Sequence, residues 1–144
     1  MINLLQRVSE AHVDVDNETI ARINQGILGL VGVQADDDES TARCYVDRLL
    51  NYRVFADAEG KMNLSLVDID GGLLLVPQFT LVANTKKGRR PSFTSAASPQ
   101  HGCKIFNIMV DYARANHAAV GCGQFGANMQ VHLVNDGPVT FILD

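Results

Sequence analysis

The chain has no tryptophan, three cysteines and four prolines in 144 residues, and aromatics make up only 6% of it. Cys44, Cys103 and Cys122 are odd in number and share no C-x-x-C spacing, which argues against a disulfide framework or a thiolate zinc site and fits a reducing cytosol. No apolar run approaches the ~20 residues that a membrane span needs. The opening MINLLQRVSEAHVDVD carries charge early and lacks a basic-then-apolar leader. A soluble, cytoplasmic protein is expected. Charge of one sign is also missing: 12 Lys and Arg stand against 16 Asp and Glu, a formal charge of -4. The molecule as a whole is therefore no electrostatic glove for nucleic acid, and any anion-binding surface has to be local. A G-x-x-x-x-G-K-[ST] loop and regular β-α-β alternation are missing too, which argues against P-loop and Rossmann nucleotide binding.

With 47% apolar and 19% charged residues, what remains is ordinary globular composition at a length that allows one domain, residues 1–144. From Ile2 to Val33 three extended pieces are expected. Val13 and Val15 alternate with polar neighbours, and Gly26 to Val33 is the continuous apolar run of a strand buried on both faces. Ala42, Tyr45, Val46, Leu49 and Leu50 then recur at helical spacing, which predicts a helix over about 38–52 behind the acidic Asp36-Asp37-Asp38-Glu39, a solvated helix start. Asp57 to Gly60 is a turn. Gly72 to Phe79 reads as another buried strand, with Pro77 at its end or edge because it cannot donate to a ladder. Ser98-Pro99 caps a second helix to about His117, with Ile105, Phe106, Met109, Val110 and Ala113 as its buried stripe. Strands return at 130–134 and 139–143, broken at Asn135-Asp136-Gly137-Pro138. The class is α+β: a curved or barrel-like sheet carrying two main helices on one side.

Candidates for chemistry are sparse. His12 and His132 lie in strand-like runs and His101 and His117 near the ends of the second helix, with no ligand spacing among them, so structural or surface roles and no metal site are expected. Cys44 and Cys103 read as small buried hydrophobes on the helices. No G-x-S-x-G elbow is present. The loop Lys86-Lys87-Gly88-Arg89-Arg90 places four cations in five residues of an acidic protein, a pattern suited to phosphates and equally to a solvated charge run. Pro77-Gln78-Phe79-Thr80 closes one buried strand. Gly137-Pro138-Val139-Thr140 interrupts another, where Gly-Pro removes a donor and raises the chance of a cis bond, though each alone reads as an ordinary turn.

Together these stretches carry more. Gln6-Arg7-Val8, Phe55 to Leu64, Gln78-Phe79-Thr80-Leu81, Arg90-Pro91-Ser92-Phe93 and Met129-Gln130-Val131 through Asn135 to Phe141 resemble, in matching order over nearly the whole chain, the D-aminoacyl-tRNA deacylases. The resemblance implies a cytoplasmic homodimer that hydrolyses the ester joining a D-amino acid or glycine to the 3′ end of tRNA, and with no ligand cluster visible in the sequence no cofactor or metal is expected. The resemblance also implies catalytic positions at Gln78, Phe79 and Thr80 and substrate contacts at Gly137, Pro138, Val139, Thr140, Arg7 and Met129; for a tRNA substrate, the charge of Lys86, Lys87, Arg89 and Arg90 makes them the expected phosphate grip. In that family a cis Gly-Pro of one subunit enters the other's pocket and rejects L-amino acids by main-chain atoms, a role that falls here on Gly137 and Pro138.

The family's Ser-Gln-x-Thr motif has Pro77 in the serine's place here, so a serine nucleophile is excluded. Pro-Gln-x-Thr also occurs in related animal tRNA deacylases of relaxed chirality, a reading kept beside the D-specific one that Gly-Pro-Val-Thr favours. Neither Thr80 nor Thr140 has a neighbouring base in its motif, so Thr80 is expected to orient rather than attack, with amides near Gln78-Phe79 facing the developing oxyanion and the substrate's 2′-hydroxyl assisting water. The competing classes are a non-catalytic RNA-binding module and a threonine-dependent hydrolase of small esters or amides.

Overall fold

A computed structural model describes residues 1–86 and 88–144. Its frame is β1 (Ile2–Val15), whose N-terminal half pairs antiparallel with β3 (Gly26–Gly32) and whose C-terminal half pairs with β2 (Glu18–Ile23). Its other edge carries β8 (Gln130–Leu143) over almost its whole length. The buried positions of β1 change parity twice, between Leu5 and Val8 and between Val8 and Ala11, at the two places where the register with β8 slips. A slip of one residue turns a strand's side chains to the other face, so one strand feeds two cores.

The run of β3 is buried on both faces as expected, Ile27 and Val31 entering the core under the helices and Leu28 the core inside the curved sheet. From β3 the chain crosses through α1 (Glu39–Asn51) and a short hairpin, β4 (Phe55–Ala56) and β5 (Met62–Leu64), to β6 (Gly72–Pro77), which lies parallel to β3. A second crossover through a 3-10 turn (Phe79–Val82) and α2 (Pro99–Asn116) reaches β7 (Val120–Cys122), parallel to β6. The sheet is mixed, in the order β2-β1-β3-β6-β7 with β8 on β1. A Cβ built on Gly121 of β7 would lie 3.2 Å from that of Ala21 on β2, so the ends of the sheet meet and nearly close a barrel. At the start of the parallel pair, a Cβ on Gly26 would fall 1.9 Å from the Gly72 carbonyl oxygen, so only glycine lets β3 and β6 approach there.

Both helices bury the stripes their spacing predicts and pack together on one sheet face. Asp38 caps α1, accepting from the Thr41 amide and hydroxyl and the Ser40 hydroxyl, which holds its carboxyl down to about 2. Neighbouring Asp37 is buried rather than solvated, because its carboxylate accepts the Gln34 amide at 2.7 Å. Other expectations are also corrected. Cys44 lies on the exposed face of α1, one helical step outside the buried stripe. Phe79 has left the strand for the 3-10 turn, since Pro77 ends the ladder. Two parallel crossovers occupy the middle of the chain, where no β-α-β alternation was apparent because the hairpin and the long loop mask it. The break at 135–138 lies inside one strand, where residues 136–139 bulge out opposite the single residue Arg7.

Leu49 is fully buried, its Cδ1 3.5 Å from the site a Gly29 Cβ would occupy, and it joins α1 to the sheet. Leu49→Ala is expected to cost about 2–5 kcal/mol, read as a lower urea midpoint at unchanged slope.

Candidate active site

Pro77 brings β6 to its end, and the next residue uses its amide for the last rung: Gln78 N donates to Val31 O at 2.7 Å. The chain then turns, and the amides of Phe79 and Thr80, first in the 3-10 turn, have no acceptor among the described residues. Phe79, with Gln78 before it, belongs to the wall of a cleft of about 440 Å³, lined also by Val76 and Pro77, by Ala97 and Pro99 at the start of α2, by Phe125, Gly126 and Ala127, and by Met129 and Val131. None of these described lining residues is ionisable. The polar groups the cleft offers are amides, which can bind a developing negative charge without titrating.

The Gln78 carboxamide donates to the Thr80 hydroxyl. Thr80 is exposed and has no basic side chain within hydrogen-bond reach among the described residues, so its hydroxyl serves as an acceptor that fixes Gln78. Phe79 is 57% exposed and packs at a tilt on Phe93, ring centroids 5.2 Å apart. Phe93 follows the basic loop, whose base is closed by reciprocal backbone bonds between Asn84 and Ser92 at 2.8 and 3.0 Å. Lys86, Arg89 and Arg90 are exposed; Lys87 lies outside the described residues.

The second motif is built around Arg7. From β1, Arg7 Nε donates to Asp136 O at 2.9 Å and Nη1 to Val54 O at 2.6 Å, with the Asp136 carboxylate 3.4 Å from Nε. Asn135 Oδ1 accepts the Val139 amide at 2.7 Å, and the Thr140 hydroxyl accepts from Asn135 Nδ2 at 3.0 Å and Gln6 Nε2 at 3.3 Å. These bonds shape an exposed bulge whose Gly137-Pro138 bond is cis. Gly137 has φ +133°, and a Cβ there would meet Val139 Cγ2 at 2.8 Å and Arg7 Nη2 at 2.9 Å, so the position accepts glycine alone. Among the expected substrate contacts, Met129 lines the cleft. Arg7, Gly137, Pro138, Val139 and Thr140 are not among the described residues lining it, and within one chain the two motifs form separate surfaces.

The family model described as D-Tyr-tRNA(Tyr) deacylase matches residues 4–144. The D-aminoacyl-tRNA deacylase of Ectopseudomonas mendocina (strain ymp) is 58% identical over 98% of this chain and 97% of its own, and that of Legionella pneumophila (strain Lens) 53% over 99% of each. The chain belongs to the D-aminoacyl-tRNA deacylase family. Among solved structures, c-Myc DNA Unwinding Element Binding Protein superposes with a TM-score of 0.95 at 37% identity, over 100% of this chain and 98% of that one. A probable eukaryotic D-amino acid tRNA deacylase shares the fold, with a TM-score of 0.88 at 18% identity over 99% and 97%.

Sequence reasoning missed two features. His12 and His132, 120 positions apart, are register partners on β1 and β8 and stack with ring centroids 4.3 Å apart beside Asp14. Sequence spacing gave no sign of this pair, because strand register rather than spacing unites them. The other two meet the expected structural role: His101 Nε2 lies 2.8 Å from Asp37 O and His117 Nε2 2.6 Å from Gly71 O. The second is Gly121-Cys122-Gly123-Gln124-Phe125-Gly126, a dinucleotide-type spacing that was overlooked. It leads from β7 into turns and not into a helix N-terminus that could receive a pyrophosphate.

Arg7→Lys keeps the charge and loses the fork that reaches Asp136 and Val54 together. Losing one charge-assisted bond, worth about 1.5–3 kcal/mol, is expected to lower deacylase kcat/KM by roughly tenfold to a hundredfold, with faster amide exchange at 136–139 as the accompanying readout.

Proposed function

We infer that this protein hydrolyses the ester of D-aminoacyl-tRNA, releasing free D-amino acid and tRNA. The observation that supports the chemistry is the pair of amides, Phe79 and Thr80, that have no acceptor among the described residues, beside a cleft whose described lining holds no ionisable side chain. Water adds to the ester carbonyl carbon, and the two N–H groups hold the oxyanion that forms. The C–O bond to the 3′ oxygen then breaks, and that oxygen leaves with a proton. The substrate's 2′-hydroxyl assists the water, so the protein contributes orientation and preorganised dipoles. Thr80 positions Gln78 and forms no acyl intermediate. Glycine-charged tRNA falls within the same chemistry.

Chirality is read by main chain. In the proposed homodimer, Gly137 and Pro138 of one subunit enter the cleft of the other, where their carbonyls sense the α-carbon substituents shared by D-substrates of every side chain. Support comes from the free edge of β8, which has no second partner among the described residues and exposes Val134, Phe141 and Ile142. A long edge strand of this kind favours association. The setting is the cytoplasm, and no described helix is long and apolar enough to cross a membrane.

The deciding experiment incubates the purified protein with matched D- and L-tyrosyl-tRNA. Rapid release from the D-substrate alone is the expected result. Comparable release from both would assign the relaxed branch that Pro77 resembles, and binding without release would make the protein an RNA-binding module. Phe79→Pro deletes one proposed donor and is expected to lower kcat by about 10²–10³, the cost of an oxyanion donor, whereas Phe79→Ala, which keeps the amide, should retain most of it.

The loop is tested separately. Changing Lys86, Arg89 and Arg90 together to Ala should raise KM for charged tRNA and flatten its logarithmic salt dependence by about 2–3. An unchanged slope would make these side chains solvated surface.

A further inference from the structure

The β1–β8 ladder sets two imidazoles and a carboxylate on one surface, away from the cleft. His12 is paired across the ladder with His132, and Asp14 stands two residues further along β1, so all three project from the same face of the sheet. Asp14 Oδ2 is 3.2 Å from His132 Nε2 and 3.8 Å from His12 Nε2, and one ligand atom from each of the three residues lies within 4.8 Å of the others. Ligands held 2.0–2.2 Å from a tetrahedral zinc lie about 3.3–3.5 Å apart. The separations from the carboxylate oxygen bracket that spacing. The second carboxylate oxygen accepts the Thr19 hydroxyl at 2.6 Å from β2, the kind of outer contact that fixes a ligand's orientation. Both rings are accessible, leaving the remaining coordination positions to water.

We propose that His12, Asp14 and His132 bind one divalent transition-metal ion of the zinc class on the outer face of the β1–β8 pair. Two nitrogens and one carboxylate suit zinc, cobalt or nickel, whereas magnesium and calcium require oxygen sets. The rings lie parallel, 7° apart, so their in-plane lone pairs run side by side. Converging on one ion takes a modest rotation about each χ2, a broad torsion for histidine. The site is structural rather than catalytic: Val131 lines the cleft, and the next residue, His132, points to the opposite face. A bound ion would clamp β8 to β1 behind the cleft wall.

Metal-stripped protein titrated with zinc in a calorimeter should bind one ion per chain and melt at a higher temperature, and cobalt should develop visible absorption from a nitrogen-oxygen site. His132→Ala and Asp14→Asn, each changing an accessible side chain, should weaken binding by at least about tenfold and abolish the thermal shift. Thr19→Val should weaken it by roughly tenfold through the outer contact. Deacylation by the wild type should be the same with and without zinc. Absence of zinc binding in the wild type, or unchanged affinity in both ligand variants, overturns the proposal. Should either variant lose its native circular dichroism, the imidazole proton resonances of the wild type decide. Zinc must shift those of His12 and His132, and shifts confined to His101 or His117 overturn the site.

Discussion

Everything of interest in this molecule hangs from the pairing of β1 with β8. The two strands run antiparallel for most of fourteen residues each, and their register slips where Arg7 faces four residues, 136–139. A ladder cannot absorb three extra residues without expelling them, so they leave the sheet as a bulge. The same mismatch that interrupts backbone pairing leaves the Arg7 guanidinium free to replace it, with bonds to Asp136 O and Val54 O. An exposed segment becomes a shaped one. Below the slip the ladder recovers its register and carries the His12–His132 pair, so one strand pair holds both the bulge and the proposed metal site.

The cleft obeys a different logic. Parallel strands end where their ladder bonds end, and Pro77 terminates β6 one residue before the chain turns. Gln78 uses its amide on Val31, and the turn that follows leaves two N–H groups without a partner among the described residues. The described lining holds no ionisable residue, and backbone N–H donors are neutral dipoles that keep their donating capacity at every working pH. The carboxylates whose titration is shifted, Asp14, Asp38, Asp57 and Asp68, all lie outside the lining and owe their lowered values to hydrogen bonds from Thr19, Thr41, Asn63 and Ser65 respectively.

Local patterns were legible where local physics governs. The stripes at 42–50 and 105–113 mark helices because burial of one face imposes the helical period. Gly26 to Val33 marks a central strand because both its faces are covered. Gln78-Phe79-Thr80 and Gly137-Pro138 were legible as motifs through resemblance, their chemistry resting on main-chain geometry that few sequences adopt. Less visible were β4, β5 and β7, strands of two or three residues whose existence depends on partners distant in sequence. Asp37 and Cys44 were misjudged because burial at the end or flank of a helix is decided by what packs there.

By itself the sequence determined the two helices, the buried central strands and the α+β class, all consequences of short-range periodicity and residue chemistry, and its ordered motifs carried the resemblance to the family. Tertiary structure alone decided the rest: the parallel crossovers, the separation of the two motifs onto different surfaces of one chain, and the role of Arg7 as a brace. It also decided the meeting of His12 with His132. Those depend on strand register, which couples residues more than a hundred positions apart and leaves no trace in their spacing.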